Sequence, residues 1–70
     1  GILLDNSSGN TLKKNTATGN GTDGLNLTDA DDNTLKRNEA CVNQGFDANQ
    51  DGASTGNVFD ENTFCRTNGL

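Results

Sequence analysis

Ten carboxylates, two cysteines and no histidine limit the chemistry open to this 70-residue chain. Ser7, Ser8 and Ser54 lack the imidazole that activates a hydroxyl in a Ser-His-Asp arrangement. Cys41 and Cys65 cannot build a zinc or redox cluster without further soft ligands. The stretch "DANQDG", Asp47 to Gly52, offers more. Asp47, Asn49 and Asp51 present side-chain oxygens at alternate positions, and Gly52 follows where a calcium loop turns sharply. Calcium is therefore the one cofactor these residues point to. The rival reading is a solvated turn of turn-forming residues, since Val58 stands at the twelfth position, where a calcium loop carries a bidentate Glu. "TDADD", Thr28 to Asp32, either adds ligands from a neighbouring turn or is a charged loop that keeps an edge soluble.

The bulk properties exclude other roles. A net charge of −5 argues against nucleic acid, whose binding needs clustered Lys and Arg. No stretch approaches the length of a membrane span. Asn6, Asn20 and Asn26 head the triplets "NSS", "NGT" and "NLT", each an acceptor pattern for N-glycosylation, though Asn and Thr are common enough here to give such matches by chance. Without an initiator Met or a signal peptide, the chain reads as a mature form or a fragment. Apolar residues are only 29% of it, with three Phe and no Trp, Tyr, Met or Pro. That composition alone reads as disordered. The spacing does not.

Set in register, "GNTLKKNTATGN", "DNTLKRNEACVN" and "GNVFDENTFCRT" form columns. Asn10, Asn33 and Asn57 share one, and Asn15, Asn38 and Asn62 share another, five residues on. Leu12, Leu35 and Phe59 lie between them, and Ala17, Ala40 and Phe64 follow. A Gly-apolar block precedes each segment, at Gly1, Gly24 and Gly45, and Gly69 begins another, at intervals of 23, 21 and 24 residues. Such a period marks a solenoid whose units bury their apolar faces on one another. Gly-apolar-x-apolar is the alternation of a short strand with one buried face. The asparagines then sit at turns, where they tolerate left-handed conformations and bond the Asn above and below through amides that both donate and accept.

These columns resemble the right-handed parallel β-helix repeat proteins, a family of secreted and periplasmic chains with repeats of the form G-I-x-L followed by regularly spaced Asn. The resemblance covers the whole chain. It implies an all-β solenoid of about three coils, near residues 1–23, 24–44 and 45–68, with asparagine ladders at the turns, in an extracellular, cell-surface or periplasmic setting. Members range from polysaccharide lyases and epimerases to adhesins and copper-associated periplasmic proteins, so the fold does not fix the function. Copper prefers His, Met or thiolate ligands, and His and Met are absent here. With open ends, the chain reads as a slice of a longer solenoid or a unit that stacks on copies of itself.

Stacking also orders the remaining chemistry. Cys41 and Cys65 share a column, so their Cα atoms fall about 4.8 Å apart, within disulfide range. An even count and a secreted-type fold favour the bridge over two free thiols. Lys13 stacks over Lys36 and Asp60, and Lys14 over Arg37 and Glu61. This stripe is either an anion site for acidic polysaccharide or a solvent face of exposed ion pairs. The expected function is a non-catalytic extracellular scaffold, structural or self-assembling, with further coils or copies of itself as partners. The alternative is part of a carbohydrate-active β-helix, a lyase, epimerase or glycan-binding module that acts on polysaccharide and uses calcium.

Overall fold

Leu25-Asn26-Leu27-Thr28 alternates apolar with polar, and the strand it forms buries Leu25 and Leu27 while Asn26 and Thr28 stay half-exposed. The same alternation recurs along the chain. The computed structural model describes residues 1–70, with nine strands and no helix, hence none long and apolar enough to cross a membrane. In chain order the strands are β1 (Ile2–Asp5), β2 (Thr11–Lys13), β3 (Leu25–Thr28), β4 (Thr34–Lys36), β5 (Glu39–Ala40), β6 (Ala48–Gln50), β7 (Val58–Asp60), β8 (Thr63–Phe64) and β9 (Thr67–Asn68).

Three sheets result, β1-β3-β6-β9, β2-β4-β7 and β5-β8, and every pairing is parallel. Each sheet collects strands from successive turns of the chain, so the chain winds as a coil around one interior. Register keeps like residues stacked. Ile2, Leu25 and Ala48 align in the first sheet, and Leu12, Leu35 and Phe59 in the second. The interior holds Leu12, Ala17, Leu25, Leu27, Ala30, Leu35, Ala40 and Ala48, with Ile2, Leu4, Phe59 and Phe64 packed against them. This is the all-β coil that the columns imply.

Three features differ from the sequence reading. At the ladder corners the left-handed residues are not the asparagines but the residues just before them. Gly9, Asp32 and Gly56 have φ of 70, 56 and 70°, and Lys14, Arg37 and Glu61 have 58, 56 and 54°. The asparagine keeps an ordinary φ because its task is to bond along the stack, and the preceding residue turns the corner. Glycine blocks are also not all in register. Leu25 pairs with Ala48, which sets Gly24 beside Asp47 and shifts Gly45 two places early. Thr67 pairs with Ala48 and Asn68 with Asn49, so Gly69 falls opposite Gln50 and begins no new block. The third coil closes early: eight residues lead from Ala40 to Ala48, but three from Phe64 to Thr67. Finally, Phe46, which the Gly-apolar-x-apolar alternation of the Gly45 block would turn inward, is not an interior residue. It is half-exposed, with the Arg66 guanidinium 5.1 Å from its ring centre.

Candidate functional site

The corners carry most of the molecule's polar side-chain chemistry. Each ladder asparagine repeats one pattern. The backbone N–H and the Nδ2 of Asn10 both donate to Asn33 Oδ1, at 2.8 and 3.0 Å, and those of Asn33 donate to Asn57 Oδ1 at the same distances. Asn15, Asn38 and Asn62 do likewise, at 2.8 to 3.1 Å. The remaining Nδ2 hydrogen turns back to a carbonyl of the preceding coil, from Asn33 to Ser7, from Asn38 to Leu12, from Asn57 to Ala30 and from Asn62 to Leu35. Asn33 and Asn38 are 0 and 1% exposed, so each buries a full amide with its bonds made. No buried side-chain polar atom in the chain lacks a partner.

A third ladder stands at the next corner. Asn20 donates to Asn43 Oδ1 through its backbone N–H and its Nδ2, at 2.9 and 2.8 Å, and Asn43 Nδ2 returns to the Ala17 carbonyl. Asn20 and Asn43 lie five residues after Asn15 and Asn38, the interval that separates the first two ladders. That spacing was the available signal. It is hidden because Thr67, not an asparagine, lies five residues after Asn62. Gly24 is required beside this corner, where a Cβ would meet Asn43 Nδ2 at 2.6 Å.

Asp47 completes the third ladder. Its Oδ1 accepts from Asn43 N–H at 3.0 Å and from Asn43 Nδ2 at 2.8 Å, and its Oδ2 accepts from the Arg66 N–H at 2.9 Å. Burial pushes the Asp47 carboxyl upward, but the bonds from Asn43 and Arg66 and the charge of Arg66 outweigh it and hold the group below its ordinary value. Asp51 is also held low, first by the Ser54 hydroxyl and then by the Asp29 N–H. Ser54 Oγ donates to Asp51 Oδ1 at 2.7 Å and accepts from the Ala30 N–H, which ties the longer third-coil turn to the second coil. Asn49 Oδ1 accepts from Asn68 Nδ2. Asp47, Asn49 and Asp51 thus bond to separate sets of neighbours, Asn43 and Arg66, Asn68, and Asp29 and Ser54. No three His, Cys, Asp or Glu side chains gather to hold a metal ion. Asp31, from the acidic cluster, accepts from the Thr55 N–H and hydroxyl.

The outer columns are simpler. Cys41 and Cys65 form a disulfide between the second and third coils, with Cα atoms 5.1 Å apart. Lys36 lies 3.8 Å from Asp60 and Arg37 lies 3.6 Å from Glu61, exposed pairs that contribute about 0–1 kcal/mol each. Of the glycosylation triplets, Asn20 commits its amide to the third ladder, Asn26 Nδ2 donates to Asp23, and Asn6 is exposed at a turn.

Parallel strands on three faces, with stacked amides at the corners between them, define a parallel β-helix solenoid. The chain belongs to the family described as periplasmic copper-binding protein (NosD), which matches residues 1–69. Family membership fits the extracytoplasmic setting that a stable disulfide requires. No curated protein and no solved structure matches the chain. The donor set does not fit copper: His and Met are absent and both cysteines are bridged, so none of the side chains that copper favours is free to bind it.

Proposed function

We propose that these coils are a non-catalytic β-helix scaffold, a structural segment that holds its own shape and presents its faces to neighbouring coils. One observation carries the reading: Asp31, Asp47, Asp51, Ser54 and both cysteines are spent on bonds within and between coils. Asp47 caps a ladder, Asp51 and Ser54 anchor a turn, Asp31 holds Thr55, and the cysteines clip two coils together. The lysine and arginine of the second coil meet acids from the third rather than an open groove. On this reading Asp47, Asn49 and Asp51 serve the coil and not a cation, and the copper chemistry named for the family is not carried by these residues.

The test is calorimetric. The oxidised chain is titrated with Cu(I), Cu(II), calcium and an acidic oligosaccharide, and its thermal unfolding is followed with each. The scaffold reading expects no saturable heat and no shift in Tm. A stoichiometric heat with any of them would overturn it and give the corners a binding role.

A further inference from the structure

Two asparagines of the coil stand directly before glycine, Asn20 before Gly21 and Asn68 before Gly69. With no side chain on the glycine, its amide nitrogen can close on the side-chain carbonyl of the asparagine before it. Asparagine is thermolabile for this reason. Neither Gly21 nor Gly69 donates its N–H to a backbone carbonyl. The attacking nitrogens are therefore alike, and the two asparagine amides decide which pair reacts.

Asn20 is fixed in the third ladder. Its backbone N–H and its Nδ2 both donate to Asn43 Oδ1, at 2.9 and 2.8 Å. Asn43 donates in turn to the Ala17 carbonyl and to Asp47. The Asn20 amide cannot swing toward Gly21 without opening that corner. Asn68 is held by much less. It pairs with Asn49, beside Thr67 on buried Ala48, so it shares the outward column of the first sheet. Its side chain makes one bond, from Nδ2 to Asn49 Oδ1 at 2.9 Å, and that bond is exposed. The fold also requires the glycine that makes this pair reactive. Gly69 has φ of 78°, and a Cβ there would run into the Gln50 carbonyl.

We propose that Asn68–Gly69 is a self-modifying site, at which the chain converts its own asparagine to aspartate and isoaspartate, while the ladder keeps Asn20–Gly21 intact. The Gly69 nitrogen attacks Asn68 Cγ and forms a new C–N bond. The Cγ–Nδ2 bond breaks, and Nδ2 leaves as ammonia with the proton given up by Gly69. Water then opens the ring at either carbonyl. Opening at Cγ gives aspartate; opening at the backbone carbonyl gives isoaspartate, with the main chain running through Cγ. Either product removes the donor that Asn49 Oδ1 accepts from. The isoaspartate also lengthens the backbone, which draws the Gly69 carbonyl away from Gln50 Nε2. β9 pairs through Thr67 and Asn68 alone, so it has no other residue to hold it beside β6.

Peptide mapping by mass spectrometry tests this while the oxidised chain ages at mildly alkaline pH, folded and in urea. In urea the two Asn-Gly pairs should convert at matching rates. In the folded chain Asn20 should lag behind Asn68 about tenfold or more, because it must first give up its ladder bonds. Asn6 is exposed too, but Ser7 follows it and carries a Cβ, so it should also lag. Aged chain should lose hydrogen-exchange protection in β6 and β9 while β2 and β4 keep theirs. N68Q, whose longer side chain closes the ring far more slowly, should keep the protection of fresh chain. The proposal is overturned if Asn68 in the folded chain converts no faster than Asn20 or Asn6. It is equally overturned if ageing loosens β6 in N68Q as much as in the wild type.

Discussion

The Asp47 carboxylate takes the place beside Asn43 that Asn57 takes beside Asn33. In both cases one side-chain oxygen accepts a backbone N–H and an Nδ2 from the coil before it. The substitution is forced by chain length. The third coil cuts its last corner short, so no asparagine arrives, and Asp47 reaches in from the start of β6. A carboxylate also has a second oxygen for the Arg66 N–H, where an amide would present a donor to a donor.

Asp47 and Asp51 are both held below their ordinary value, so each stabilises the fold above the unfolded-state pKa, about 3.9, and loses that contribution as pH falls toward its folded-state value. Tm should therefore be flat near neutrality and fall on acidification below about pH 4. In D47N the amide oxygen can still accept from Asn43, the bond to Arg66 is lost, and one titrating group is gone. Its Tm should be lower than wild type at pH 7, and its acid fall shallower. Thermal melts from pH 7 to pH 2 check both; an acid slope unchanged in D47N would mean Asp47 does not carry the dependence.

Position along a ladder should set the cost of losing an asparagine. Asn38 is 1% exposed and makes bonds on both sides, donating to Leu12 and Asn62 and accepting from Asn15. N38A strands the Asn15 N–H and the Leu12 carbonyl, and should cost about 3 kcal/mol or more. N15A, at the open end, leaves mainly Asn38 Oδ1 underused and should cost about 1–2 kcal/mol. Urea unfolding of both variants measures the difference. Equal losses would mean that the ladder acts through local turn preference and not through stacking.

The interior columns and the first two ladders are legible in the sequence because each coil repeats them at one spacing. Leu12, Leu35 and Phe59 cannot drift without turning an apolar face outward. The place of Asp47 in the third ladder is not legible, because a ladder corner and a calcium loop draw on the same residues, Asp, Asn and Gly. Sequence cannot tell a side chain turned into the stack from one turned to solvent. The left-handed column is hidden for another reason: Gly, Asp, Lys, Arg, Glu and Val all occupy it, so position, not residue type, marks the turn. The early closure of the third coil leaves only a weak trace, the shortened run after Phe64.

Val42 is the costliest of those turn residues. It sits just before Asn43 with φ of 60°, in the column that Gly19 fills with φ of 67°, and it is 83% exposed. A β-branched residue is strained there and gains no burial in return. V42N, which adopts this conformation readily, should stabilise the chain by about 1 kcal/mol. A denaturation midpoint that stays put or falls in V42N would mean that the valine makes a contact worth its strain.

The disulfide should matter most where the ladders are weakest. It joins residues 24 apart and ties to the second coil a third coil that has no asparagine for the third ladder and whose interior is small Ala48 with half-buried Phe59 and Phe64. Closing a loop of that size in the unfolded chain is worth about 3–4 kcal/mol in the chain-entropy account. For a domain this small that is a large share of the total stability. Reduction should therefore lower Tm sharply. If the third coil can open by itself, it should also do so unevenly. Amides of β7, β8 and β9 should then exchange first, while those of β3 and β4, with a neighbour on each side, stay protected longer. Hydrogen exchange with and without reductant reads this directly. Uniform loss of protection would show instead that the coil unfolds as one unit, with the bridge stabilising all of it equally.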